Sequence, residues 1–152
     1  MPDAEQAIER LVNIYFQGVD TKDEALYRTI WADDAVFTMF ADPDGTGGVT
    51  HVGIDACAAT VRGAFGFAAS VHAKGNFVAN VASGLTATAS TLAVANVVLP
   101  ATATEPSKVL VRGIHYRDEF VRTADGWKIS KRIHAPLWQF DQLAVPVGLP
   151  PA

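Results

Sequence analysis

SVHAKGNFVANVASGLTATASTLAVANVVL, Ser70–Leu99, is the stretch on which the fold turns. It holds two long runs rich in Val, Ala, Thr and Leu, parted by Ser83-Gly84, a pair that suits a turn between strands. Two more runs of this character follow, Val109–Arg122 after a Pro/Thr/Ala loop and Trp127–His134 after Ala-Asp-Gly. The periodicity upstream is different. Ile8, Leu11, Val12, Tyr15, Phe16 and Val19 recur at helical spacing behind an Asp3/Gln6 capping box, and Gly18 weakens the last turn so that the helix ends near Asp20. A second helix is predicted over Asp23–Trp31 and a third over Gly53–Gly66. Between them, Ala35–Phe40 and Val49–Val52 read as strands about the turn DPDGTGG, Asp42–Gly48. The bidentate Glu that would close a calcium loop is missing there, so a surface hairpin is the better reading. Helices first and a meander of long strands afterwards predict an α+β fold with one antiparallel-rich sheet. Strands of this length must curl, and a curled sheet closed by helices leaves an apolar pocket.

The totals set the remaining bounds. With 152 residues, nearly half of them hydrophobic, the chain has the size of one ordinary domain with a real core. We read residues 1–152 as a single domain, with 135–152 as an extended tail punctuated by Pro136, Pro146, Pro150 and Pro151. The formal charge of −4 and the scattered basic residues argue against a nucleic-acid surface. The one cysteine, Cys57, permits no intramolecular disulfide and is best read as a small buried hydrophobe. The opening MPDAEQAIERL lacks a basic segment followed by an apolar run, and no stretch suits a membrane span. A cytoplasmic protein with no membrane partner is expected.

Few residues announce chemistry. There is no phosphate-binding glycine loop between a strand and a helix, and no serine in a nucleophile elbow. His51, His72, His115 and His134 are dispersed without metal-ligand spacing, so no metal is expected. Asp20 admits two readings: a carboxylate aimed into the pocket, or a solvated residue in the polar stretch Asp20–Glu24. On composition the second is favoured. Strict alternation sets His72, Lys74, Asn76 and Asn80 opposite Val71, Ala73, Phe77, Ala79 and Val81. His72 therefore faces either solvent or the mouth of the pocket. Arg132 and His134 share a strand face, opposite Ile129 and Ile133, and meet the same ambiguity.

Read together, the helix ending in GVD (Gly18–Asp20), IWADDAVF (Ile30–Phe37), VHAKGNF (Val71–Phe77), the Tyr116–Glu119 strand and DGWKISKR (Asp125–Arg132) resemble the nuclear transport factor 2-like superfamily, in its SnoaL-like branch. The likeness runs through nearly the whole chain in order. It implies a curved antiparallel-rich sheet wrapped around N-terminal helices, with the cone-shaped pocket of the cystatin-like fold. Within the branch it is similar to the hexachlorocyclohexane dehydrochlorinases and, more distantly, to the scytalone and bile-acid 7-alpha-dehydratases. Those families use an Asp–His dyad, and the resemblance places Asp20 and His72 at its positions. It sets Arg132 where an arginine assists the leaving group. Tyr15 stands where the dehydrochlorinases carry a lysine and resembles instead the tyrosine of the bile-acid dehydratases, which tilts the reading towards loss of an oxygen leaving group. Since a spacing of five is not one helical face, Tyr15 joins Asp20 only if the helix unwinds near Gly18.

The resemblance thus implies a cofactor-independent lyase, of dehydratase or dehydrohalogenase type, for a small hydrophobic ring or polyketide-like substrate. His72, Asp20, Arg132 and Tyr15 would be catalytic. Phe16, Trp31, Phe37, Phe67, His115 and His134 would contact the substrate. An isomerase or cyclase in the same pocket, or a non-catalytic ligand-binding protein, are the alternatives. A homo-oligomer is expected, a trimer rather than a dimer.

Overall fold

In the computed structural model, residues 3–42 and 44–147 are described. Helix α1 (Ala4–Thr21) starts where the Asp3 carboxylate accepts the Gln6 backbone N–H at 2.8 Å, a cap worth about 1 kcal/mol. The helix runs unbroken past Gly18 to a left-handed cap at Lys22. Gly18 serves another purpose there: a Cβ on it would come within 2.8 Å of the Tyr27 Cβ, so its bareness lets the next helix close in. Thus α1 does not unwind between Tyr15 and Asp20, and the two side chains leave it on different faces, so Tyr15 shares a cavity wall with His72 and not with Asp20. The second helix is shorter than its apolar pattern suggests, with α2 confined to Glu24–Arg28, because Trp31 already belongs to strand β1 (Trp31–Met39).

Strand β2 (Val49–Val52) pairs antiparallel with β1, as the hairpin reading anticipates. Helix α3 (Ile54–Ala59) passes into a tighter 3-10 turn over Thr60–Ala64. The meander follows as β3 (Ala69–Val81), β4 (Thr86–Leu99), β5 (Lys108–Thr123) and β6 (Gly126–Leu143). All six strands form one curved, unclosed sheet in the order β2-β1-β6-β5-β4-β3, antiparallel except where β1 runs parallel to β6. Its concave face and the helices enclose the core, in which Ile8, Val12, Tyr27, Ile30, Trp31, Phe37 and Ile129 are fully buried. Cys57 is buried with them, and burial pushes its thiol up to about 11, so it behaves as a hydrophobe.

Three features of the strands correct the sequence reading. A register shift between Lys74 and Phe77 changes which side of β3 faces inward. His72 thus lies on the same concave side as Phe77 and Ala79, while Val71 is left outside. A second shift, between Glu119 and Phe120 where β5 meets β6, puts Ile129 and Arg132 both in the interior rather than on opposite faces. Finally, the residues expected as a tail from Ala135 continue β6 to Leu143, paired with the first half of β5. Pro136 is tolerated because it falls at a register shift opposite Ile114, where the ladder is already interrupted. Pro150 and Pro151 of that tail lie outside the described residues.

Candidate active site

The site begins at the C-terminal end of α1, a poor place for a carboxylate because the helix carbonyls there already carry negative partial charge. Asp20 is held there by donors from β3. Its Oδ1 accepts from Ser70 Oγ and meets His72 Nδ1, both at 2.7 Å, while its Oδ2 accepts the His72 backbone N–H at 2.8 Å. Burial acts to raise its carboxyl. The hydrogen bonds from the His72 ring, the His72 backbone and Ser70 outweigh that, so its net shift is downward. An ionised Asp20 is an acceptor only, so the proton of this bond sits on His72 Nδ1, and in the neutral imidazole the lone pair is then on Nε2. The His72 ring is 7% exposed and stacks on Phe16 at 5.3 Å, with the two planes 17° apart.

His72 forms part of the wall of a cavity of about 470 Å³. Asp20 does not line the cavity; it stands behind the imidazole. Apolar wall comes from Val19, Met39, Val61, Ala95, Val97 and Ile114 among others, and the polar groups are few. Tyr15, Tyr27 and Tyr116 bring phenols, Thr60 a hydroxyl, and His51, His134 and Arg112 the remaining nitrogen groups. Burial lifts all three phenols above their ordinary value. They stay protonated, so each has a hydroxyl proton to offer. Thr60 Oγ1 donates to the Cys57 carbonyl at 2.7 Å and so accepts from Tyr27, 3.0 Å away.

Arg132 is not in the wall. Its side chain is 0% exposed and makes a two-pronged bond to Asp118, Nε to Oδ1 at 2.7 Å and Nη2 to Oδ2 at 2.8 Å. Burial opposes its charge, but Asp118 more than compensates, and the guanidinium is held firmly protonated. It lies 4.0 Å from the Tyr15 ring centroid and 4.7 Å from that of Tyr116. Its charge works against the effect of burial on the Tyr15 phenol. Arg132 therefore does not touch the cavity, and its charge reaches the wall through Tyr15, Tyr116 and His134.

The other expected contacts divide. Phe67 and His134 line the cavity. Phe16 backs His72 from outside the wall. Trp31 and Phe37 stack on each other at 5.2 Å in the core and do not reach the space. His115 is on the outer side of the sheet, where its Nε2 meets Ser90 Oγ at 2.7 Å. Tyr27, Thr60, Arg112, Tyr116 and His51 were not anticipated. The even-numbered alternation Leu110, Arg112, Ile114, Tyr116 is visible in the sequence, but its inward sense depends on register. Among the described residues no three His, Cys, Asp or Glu side chains gather as a metal site, and no helix is long and apolar enough to cross a membrane.

The family model for the SnoaL-like domain matches residues 3–133. The chain belongs to the SnoaL-like domain family. A solved structure of the Kfla4162 protein from Kribbella flavida is similar to it at 27% identity, over 90% of this chain and 93% of that one, with a TM-score of 0.77. A hexachlorocyclohexane dehydrochlorinase (LinA Type2) matches at 20% identity over 95% and 93%, with a TM-score of 0.77. A scytalone dehydratase-like protein from Novosphingobium aromaticivorans DSM 12444 matches at 21% over 96% and 94%, with a TM-score of 0.73. At such identities the last two speak for the fold. No curated protein sequence matches this SnoaL-like chain.

Proposed function

We propose that this SnoaL-like protein is a cofactor-independent lyase that eliminates water, or a comparable leaving group, from a small, largely apolar ring or polyketide-like substrate. The observation that carries the reading is the 2.7 Å contact between Asp20 and the Nδ1 of His72, whose ring faces the cavity. In this scheme His72 Nε2 removes a proton from a carbon next to the one that bears the leaving group. The C–H electron pair becomes the new double bond, and the bond to the leaving group breaks with its electrons. Asp20 fixes the tautomer and stabilises the imidazolium. Tyr15 donates its phenolic proton to a departing oxygen, which leaves as water. The imidazolium then restores the phenol through solvent. Arg132 is a positioning residue whose charge beneath the Tyr15 ring offsets the cost of the transient phenolate.

Screening small cyclic β-hydroxy ketones for the absorbance of the conjugated enone product tests this reading. Turnover that disappears in His72→Ala, with the fold retained, supports it. An isomer formed without loss of water would replace elimination by isomerisation, and binding without turnover would leave a ligand-binding protein.

We further propose a homo-oligomer, with three subunits as the favoured number. The convex side of the sheet leaves Val71, Leu92, Leu137, Trp138 and Phe140 exposed, a set of large apolar side chains that suits a subunit contact. Sedimentation should give a mass about three times that of the chain, and a concentration-independent monomer would end the proposal.

A further inference from the structure

Arg112 is the one charged residue other than histidine among the described residues that line the cavity. No carboxylate pairs with it among the described residues. Instead its Nε and Nη2 both donate to the neutral Oε1 of Gln139, at 3.1 and 2.9 Å. Gln139 thereby pins one edge of the guanidinium. Nη1 and the second hydrogen of Nη2, the terminal edge, are left over from the five donors an arginine carries. A half-buried cation in an apolar wall, oriented by a neutral amide and lacking a counter-charge, is suited to an anion that arrives from outside.

The sheet register says where that anion would sit. His72 is opposite Ala95, Ala95 opposite Arg112, and Arg112 opposite Gln139, so the four residues form one row across β3, β4, β5 and β6. Two strand spacings separate the His72 and Arg112 backbones, roughly 10 Å. The alanine between them keeps the intervening wall low, and all three residues line the cavity. A flat ring placed over Ala95 has the imidazole at one side and the guanidinium at the other.

We propose that Arg112 binds a carboxylate on an otherwise apolar substrate, making this protein selective for carboxylate-bearing ring compounds. The terminal edge of a guanidinium matches a planar carboxylate in a two-pronged bond. The position of the reacting carbon near His72 rests on the lyase reading, whereas the anion site stands without it.

The test compares 2-naphthoate with its neutral isostere 2-naphthamide by calorimetry at about pH 8, where the acid is ionised and an ordinary histidine is neutral. The wild type should bind the acid at least about tenfold more tightly, the scale of one charge-assisted hydrogen bond. Arg112→Met should erase that preference and leave naphthamide affinity within about twofold, while Arg112→Lys should keep part of it. His72→Ala should retain the preference. Equal affinity for the two ligands, no binding of either by the wild type, or a preference that survives in Arg112→Met would overturn the proposal. A preference that disappears in His72→Ala but not in Arg112→Met would do the same, by assigning the anion to the imidazole. The two readings fail separately: turnover that persists in His72→Ala removes the lyase and leaves the carboxylate site untouched.

Discussion

Asp20 holds His72 at two points, one carboxylate oxygen against the ring nitrogen Nδ1 and the other accepting the backbone N–H of the same residue. The ring can neither rotate nor slide along β3 without breaking one of these bonds. Ser70, two residues earlier on the strand, supplies the third donor. Removing it with Ser70→Ala takes away one of the interactions that lower the Asp20 carboxyl. The Asp20 carboxyl should therefore titrate at higher pH than in the wild type. One hydrogen bond of ordinary strength corresponds to a displacement of up to about one pH unit. Carbon-13 NMR of the Asp20 carboxyl through a pH titration should show this, and an unchanged or lower midpoint would contradict it.

His134 provides a separate test in stability. Burial, with the charges of Arg112 and Arg132, pushes it down to about 4 from the ordinary histidine value of 6.5. The folded-state value lies below the unfolded one, so the unfolded chain takes up a proton first as the pH falls. The contribution is complete above about pH 6.5, declines between there and about pH 4, and is flat below. At about 1.4 kcal/mol per pH unit the loss is on the order of 3 kcal/mol. His134→Gln should flatten this part of a plot of unfolding free energy against pH. An unchanged slope would show that His134 is not held neutral by its surroundings.

The Arg132–Asp118 pair is fully desolvated, and deletion of either partner strands the other. Arg132→Met should cost about 3–5 kcal/mol in denaturant unfolding. Arg132→Met combined with Asp118→Asn should recover at least about 1 kcal/mol of that, since the orphaned carboxylate is gone. A single variant that loses under about 1 kcal/mol would mean that water reaches the site.

The elements were legible in the chain because their signals are local: the capping box before α1, the helical stripe from Ile8 to Val19, and the Gly- and Pro-marked gaps between long apolar runs. Asp20 and His72 are fifty-two positions apart and were united only through a resemblance, since nothing in either neighbourhood points to the other. What stayed hidden turned on single-residue slips. The shift after Lys74 decides that His72 and Phe77 share a side, and the one near Ser130 sends Arg132 inward to Asp118. Alternation counted along a strand cannot see an extra residue, and one such residue reverses every face beyond it. Arg112 was missed for a related reason, because its place in the row with His72 exists only once three strand pairings are known.

The central claim is that the Asp20–His72 pair performs the proton transfer. Its most direct measurement is kcat for His72→Ala and Asp20→Asn, beside the wild type, on a cyclic β-hydroxy ketone that the wild type dehydrates, with circular dichroism confirming the fold. A positioned acid–base group contributes about 10²–10⁴ in rate. Both variants should therefore fall by at least about a hundredfold, with the cavity still able to bind naphthoate. If both turn over within about twofold of the wild type, the pair is a structural hydrogen bond and the chemistry lies elsewhere.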